Sequence, residues 1–138
     1  MAHIRQQLRT KVQTLLAAAL SRPIFVSRTH LIQPSELPCA IVTIDNDNAD
    51  ASSELGSDRD IELTIRLYER AFSDVDNLID DLCVLTENAF RNDTTINASQ
   101  IDLETTSIDI EDGDQQIAVA TMIYSVKLFN ITDPEQLI

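Results

Sequence analysis

The chain has 138 residues, 43% of them apolar, enough for one core-bearing domain over residues 1–138 that needs neither disulfides nor metals. Two glycines, Gly56 and Gly113, exclude glycine-rich phosphate cradles, and two cysteines, Cys39 and Cys83, exclude a disulfide framework or a cysteine-rich zinc site, leaving buried reduced thiols as the simplest reading. A formal net charge of −13 excludes nucleic-acid binding by the molecule as a whole; with no charged leader and no apolar run of membrane-spanning length, the chain is expected to be soluble and intracellular.

Residues 3–21 read as an amphipathic helix. Ile4, Leu8, Val12, Leu15, Leu16, Ala19 and Leu20 step by threes and fours onto one face, Arg5, Arg9 and Gln13 lie beside them, and Pro23 stops the run. This opening is also where the charge is uneven: residues 1–35 hold Arg5, Arg9, Lys11, Arg22 and Arg28 and no acid, whereas the rest holds five bases and 23 acids. Such sign separation suits head-to-tail self-association or a partner of mixed charge. Arg5 and Arg9 are the candidate subunit contact.

A short strand from Ile24 to Arg28 follows, then a connection with Pro34 and Pro38, then the continuous apolar run Cys39–Ile44, the pattern of a strand buried on both faces. From Asp45 to Asp58 almost nothing can pack, so this stretch is expected to be a long, flexible acidic loop that orders on a partner, with Asp45, Asp47, Asp50, Glu54 and Asp58 as its contact residues. A calcium reading of the Asp45-x-Asp47-x-x-Asp50 run fails the EF-hand pattern, because Ala49, Asp50 and Gly56 stand where an oxygen ligand, the glycine and the bidentate glutamate belong. Alternation at Ile61, Leu63, Ile65 and Leu67 marks a half-buried antiparallel strand.

A second helix begins near Ser73, which with Asp76 resembles a capping box, and runs to Asn92-Asp93. Val75, Leu78, Ile79, Leu82, Leu85, Thr86, Ala89 and Phe90 are its expected inner face. The last third reads as a hairpin. Ile101, Leu103 and Thr105 alternate, Ile108 and Ile110 change parity across a bulge near Ser107, and Asp112-Gly113 makes the turn. The return strand, Ile117–Phe129, is apolar on nearly both sides and so either central or covered by a neighbour. A short tail occupies 130–138. The order α-β-β-β-α-β-β gives an α+β fold, a mostly antiparallel sheet with both helices on one face.

Catalytic machinery is sparse. His30 is the one plausible catalytic histidine, and Ser27, Ser35 and Glu36 are near it in sequence, but no motif joins them into a nucleophile, base and orienting acid. A solvated loop histidine is the simpler reading, and no enzyme, cofactor or metal is expected.

The helix "HIRQQLRTKVQTLLAAAL", the strand "IFVSR", the Glu36-Leu37-Pro38 step into a buried strand in "QPSELPCAIVTI", the strand "RDIELTIRLYER", the helix "SDVDNLIDDLCVLTENAF" and the closing hairpin together resemble the lambda-type phage tail terminator proteins, the minor tail protein U family of long non-contractile tails. The likeness covers about residues 3–129. It implies a virion protein, assembled in the host cytoplasm, that forms a hexameric ring at the head-tail junction. Such a ring caps the tail tube, ends its polymerisation and meets the head-side connector, while DNA passes through its lumen without specific binding; its partners are further copies, the tube protein and the neck protein, with no membrane. Two alternatives stand beside it: a head-completion or neck protein of the same general fold, and a small soluble protein-binding module with a weakly calcium-binding acidic loop.

Overall fold

In the computed structural model, which describes residues 2–26, 32–53, 56–113 and 115–138, the first helix, α1, spans Ile4–Leu20. Ile4, Leu8, Val12, Leu16 and Leu20 form its buried stripe, each such side chain being worth about 1.5–3 kcal/mol on leaving water. His3 and Gln6 make a reciprocal capping box at its start. The helix ends at Ser21, whose left-handed backbone (φ 54°) breaks the ladder two residues ahead of Pro23.

The strands that follow are β1 (Ile24–Phe25), β2 (Cys39–Ser53), β3 (Gly56–Ala71), β4 (Gln100–Glu111) and β5 (Gln116–Ile131), with the second helix, α2, at Val75–Asn92 between β3 and β4. They form a five-stranded sheet in the order β1-β2-β3-β5-β4. Only β1 runs parallel to its neighbour; the other pairings are antiparallel, so the sheet is mixed. The expected element order and fold class are therefore those observed. α1 packs on β1 and β2, α2 on β3 and β5, and the helices touch each other.

Side-chain alternation builds the core beneath the helices. Val42 and Ile44 from β2, Leu63 and Ile65 from β3, and Ala120, Met122 and Tyr124 from β5 share one buried cluster with both helices. β5 is central, as its apolar sequence predicts, lying between β3 and β4. The chain end also docks: Pro134 accepts a hydrogen bond from the Ile4 amide, and the Ile138 side chain is buried in the core.

Four local expectations are corrected. Most of the stretch expected as an acidic loop, 45–58, is strand: Asp47 pairs with Ile61, Asn48 with Asp60, Ala49 with Arg59 and Asp50 with Asp58. A ribbon reaching past the helix layer needs no buried face, so apolar alternation is absent while the backbone ladder continues, and β3 is itself anchored there to β5. α2 starts after Asp74, in a left-handed conformation without a side-chain cap, so Ser73 and Asp76 form no capping box. Its buried face is Val75, Ile79, Leu82, Cys83 and Thr86; Leu78 and Leu85 sit on the margin of the apolar arc and are exposed. The bulge in β4 falls between Leu103 and Thr105, ahead of Ser107.

Candidate functional site

A bulge in β2 sets up the first candidate surface. Up to Ile44, alternate residues face the helices. The register then slips between Ile44 and Asn46, so Asn46 pairs with Glu62 and Asp47 with Ile61. Because Ile61 is a core residue, this carries the Asp47 carboxylate to the helix side of the sheet. There it lies 2.8 Å from Arg59 and 3.4 Å from Arg5, its side chain 5% exposed against 16% for Arg59 and 44% for Arg5. Asp47 Oδ1 and Arg59 Nε have no hydrogen-bond partner among the described residues.

The same slip opens a groove of about 650 Å³ between the start of α1 and β2, lined by His3, Arg5, Gln6 and Arg9 on one side and by Ile44, Asp45, Asn46 and Asp47 on the other. His3 Nδ1 accepts from the Arg5 amide at 3.1 Å, which requires a neutral imidazole. Burial and then the Arg5 cation hold its pKa below the ordinary histidine value, with Arg59 and Arg9 adding to the effect and Asp47 opposing it.

A second groove, of about 510 Å³, lies at the opposite edge of the sheet between α2 and β4. Its walls are Val84, Phe90, Ile101, Leu103 and Tyr124, with Glu87, Asn88 and Arg91 at the rim. The Phe90 and Tyr124 rings meet with centroids 4.6 Å apart. The Tyr124 hydroxyl is buried with no partner among the described residues; burial first, and Glu87 next, push its pKa upward, so it remains a donor. Beyond this groove the helix-side residues of β4, Ile108 and Ile110, are 42% and 40% exposed.

The structure gathers some of the residues singled out from sequence and separates others. Arg5, Arg9, Asp45 and Asp47 share the first groove. Yet Arg5 pairs with Asp47 of its own chain, so it is not wholly available to a neighbour. Asp45 accepts from the Thr64 hydroxyl at 2.7 Å on the sheet's other face, and Asp58 accepts from the Asn130 amide at 3.0 Å. Asp45 and Asp47 thus point to opposite faces, which breaks up the acidic run as one calcium site; among the described residues no group of three or more histidine, cysteine, aspartate or glutamate side chains is placed to hold a metal ion. Asp50 stays exposed, while Glu54, Ser27 and His30 lie outside the described residues.

Both cysteines are buried free thiols. Burial, with Glu36 adding to it, pushes Cys39 up to about 11, and burial with Asp80 raises Cys83, so neither is an activated nucleophile. Sequence reasoning missed Arg59 and Tyr124. Arg59 matters only because the bulge turns Asp47 toward it, and no sequence signal marks that bulge. Among the described residues no helix is long and apolar enough to cross a membrane.

No protein-family model and no curated protein matches the chain. Among solved structures the chain is similar to a chain from the virion of a native gene transfer agent particle, with 15% sequence identity and a TM-score of 0.49, the likeness covering 91% of this chain and 92% of that one.

Proposed function

We propose that the chain is a non-enzymatic structural protein of a phage-like virion, of the tail terminator type. Copies join into a ring, hexameric by the resemblance, that sits between a tail tube and a head-side connector. The observation that carries this reading is the placing of exposed aromatic residues at both ends of the sheet. Phe72, 81% exposed, follows β3 at the end where Ala71 pairs with Gln116, and Phe129, 52% exposed, lies at the end where Ser57 pairs with Ile131. A subunit sandwiched between two partners needs an apolar contact at each end, and burying either ring there would contribute about 1.5–3 kcal/mol. The sequence resemblance over residues 3–129 supports the same assignment. The strong negative charge suits a ring through which DNA slides, since phosphate attraction is what would hold it.

Deleting the gene and measuring tail lengths by electron microscopy tests the reading. Overlong, headless tails are expected. Tails of normal length that lack heads would assign the protein to the neck, and intact particles would overturn the virion role altogether.

A further inference from the structure

The edge strand β4 has two chemically different faces. It pairs only with β5, so among the described residues its outer edge is open from Gln100 to Glu111. Residues 104–111 are all exposed, whichever face they take. An unpaired edge of this length is a template for another extended chain.

Register assigns the side chains. Leu103 lies opposite Tyr124, Ile108 opposite Ala120 and Ile110 opposite Ala118; these partners belong to the core, so the three side chains take the helix side. Asp102, Asp109 and Glu111 lie opposite Ser125, Val119 and Ile117, on the face away from the helices. The bulge adds Glu104 to that outer face, where it shares a hollow of about 190 Å³ with Asp60, Glu62 and Ser125. Past the bulge, residues 105–111 follow β5 without a further slip, so the alternation there is unbroken.

Both faces are left short of partners. Glu104, Asp109 and Glu111 make no ion pair and no side-chain hydrogen bond among the described residues. The acids gathered in the hollow are not placed to hold a metal ion. On the helix side, Ile108 and Ile110 are uncovered, and the groove beside them under α2 ends on the Tyr124 side chain. Tyr124 is 3% exposed, and its hydroxyl has no partner among the described residues. An acceptor brought into the groove would satisfy that donor.

These two faces define what fits the edge. A second copy's β4 is a poor occupant, because pairing the two edges sets carboxylates against carboxylates. The complement is an extended segment with cations on one face and apolar side chains on the other, which means basic and apolar residues in alternation. We infer that the open edge of β4 takes up such a segment of a partner protein as an added strand, its lysine or arginine side chains over the outer carboxylates and its apolar side chains along Ile108, Ile110 and the groove. The site belongs to a single chain and is complete without a ring.

The probe is a blocked peptide of about ten residues alternating lysine and valine, added to the full chain at physiological salt. Saturable binding by fluorescence anisotropy is expected, with slowed amide hydrogen exchange in residues 100–111. Asp109→Lys with Glu111→Lys is expected to weaken binding at least ten-fold at an unchanged melting temperature, and to accept instead a peptide alternating glutamate and valine. Asp50→Lys with Asp81→Lys, the same change of charge placed elsewhere, should leave affinity for the first peptide within about two-fold. A peptide of the same composition with its lysines and valines in separate blocks should bind at least ten-fold more weakly, which separates strand addition from attraction to an acidic chain. No protection of β4, or equal weakening by both lysine pairs, would mean that the acids only guard the edge against aggregation, and would overturn the strand addition. The virion reading, tested by tail length, would stand in that case.

Discussion

Asp47 offers a sharp test of how the bulge in β2 stabilises the fold. Replacing it with alanine removes the anion from between Arg59 and Arg5 and leaves the Arg59 guanidinium, 16% exposed, in a site built for an ion pair. Breaking a fully buried pair in this way costs about 3–5 kcal/mol. Two features reduce that figure here: Arg5 is 44% exposed and recovers hydration on losing its partner, and Asp47 Oδ1 contributes no hydrogen bond of its own among the described residues. A loss of about 2 kcal/mol is therefore expected, which for a chain of this size lowers the melting temperature by about 6–10 °C. Urea unfolding followed by circular dichroism measures it. Asp50→Ala serves as the control, because Asp50 is exposed and faces Asp58 across the ladder, a like charge whose removal costs nothing. The double variant Asp47→Ala with Arg59→Met should recover part of the loss, since no charge is then stranded. Stability of Asp47→Ala within about 0.5 kcal/mol of the parent, the ordinary range for surface changes, would refute the account of a buried ion pair.

His3 accepts a backbone hydrogen bond and has a folded pKa below the ordinary histidine value of about 6.5, so the unfolded chain binds a proton more readily and stability falls as pH drops below that value. The melting temperature of the parent should thus fall further between pH 7.5 and 5.5 than that of His3→Asn, which keeps an acceptor but does not titrate; equal falls would contradict the assignment. On α2, Ile79→Ala should cost about 2–4 kcal/mol and Leu85→Ala under about 1 kcal/mol, because only the first side chain is fully buried; denaturation curves that rank them the other way would place the wrong face against the sheet. Gly56→Ala should cost about 1–3 kcal/mol, since a Cβ there meets the Ile131 carbonyl oxygen at 2.9 Å and that oxygen belongs to backbone. An unchanged unfolding midpoint would show that the strands can part without penalty.

Helices and central strands were legible in the sequence because burial writes itself as periodicity. The four-residue spacing of Ile4, Leu8, Val12 and Leu16 and the alternation of Ile61, Leu63, Ile65 and Leu67 each correspond to one buried face. The ribbon at 45–58 was illegible for the converse reason. Hydrogen bonds between backbones leave no trace in side-chain hydropathy, and a strand with no layer over it has no pattern to show. The displaced margin of α2 has a similar origin: Leu78 and Leu85 satisfy helical spacing, yet they lie outside the stripe that is buried and stay exposed. At the candidate site, Arg5 and Arg9 stood out as cations in an acidic chain. Their neighbours did not, because Arg59 and Tyr124 reach the grooves through register, a property of strand pairs and not of any one segment.

The slip between Ile44 and Asn46, more than the composition of β2, decides which face each side chain of the ribbon takes. Asp45, the extra residue, lies on the sheet's outer face, where it accepts from the Thr64 hydroxyl. Removing that residue would leave the pairing as it stands, with Ile44 opposite Leu63, Asn46 opposite Glu62 and Asp47 opposite Ile61. Ironing out the slip at unchanged length would do the opposite: Asn46 would come under α1, Asp47 would go to the far face, and each later side chain of the ribbon to the side it now avoids. Related chains would be expected to vary freely in sequence through this ribbon, and could lose the residue at position 45 without moving the Asp47 carboxylate from the helix side.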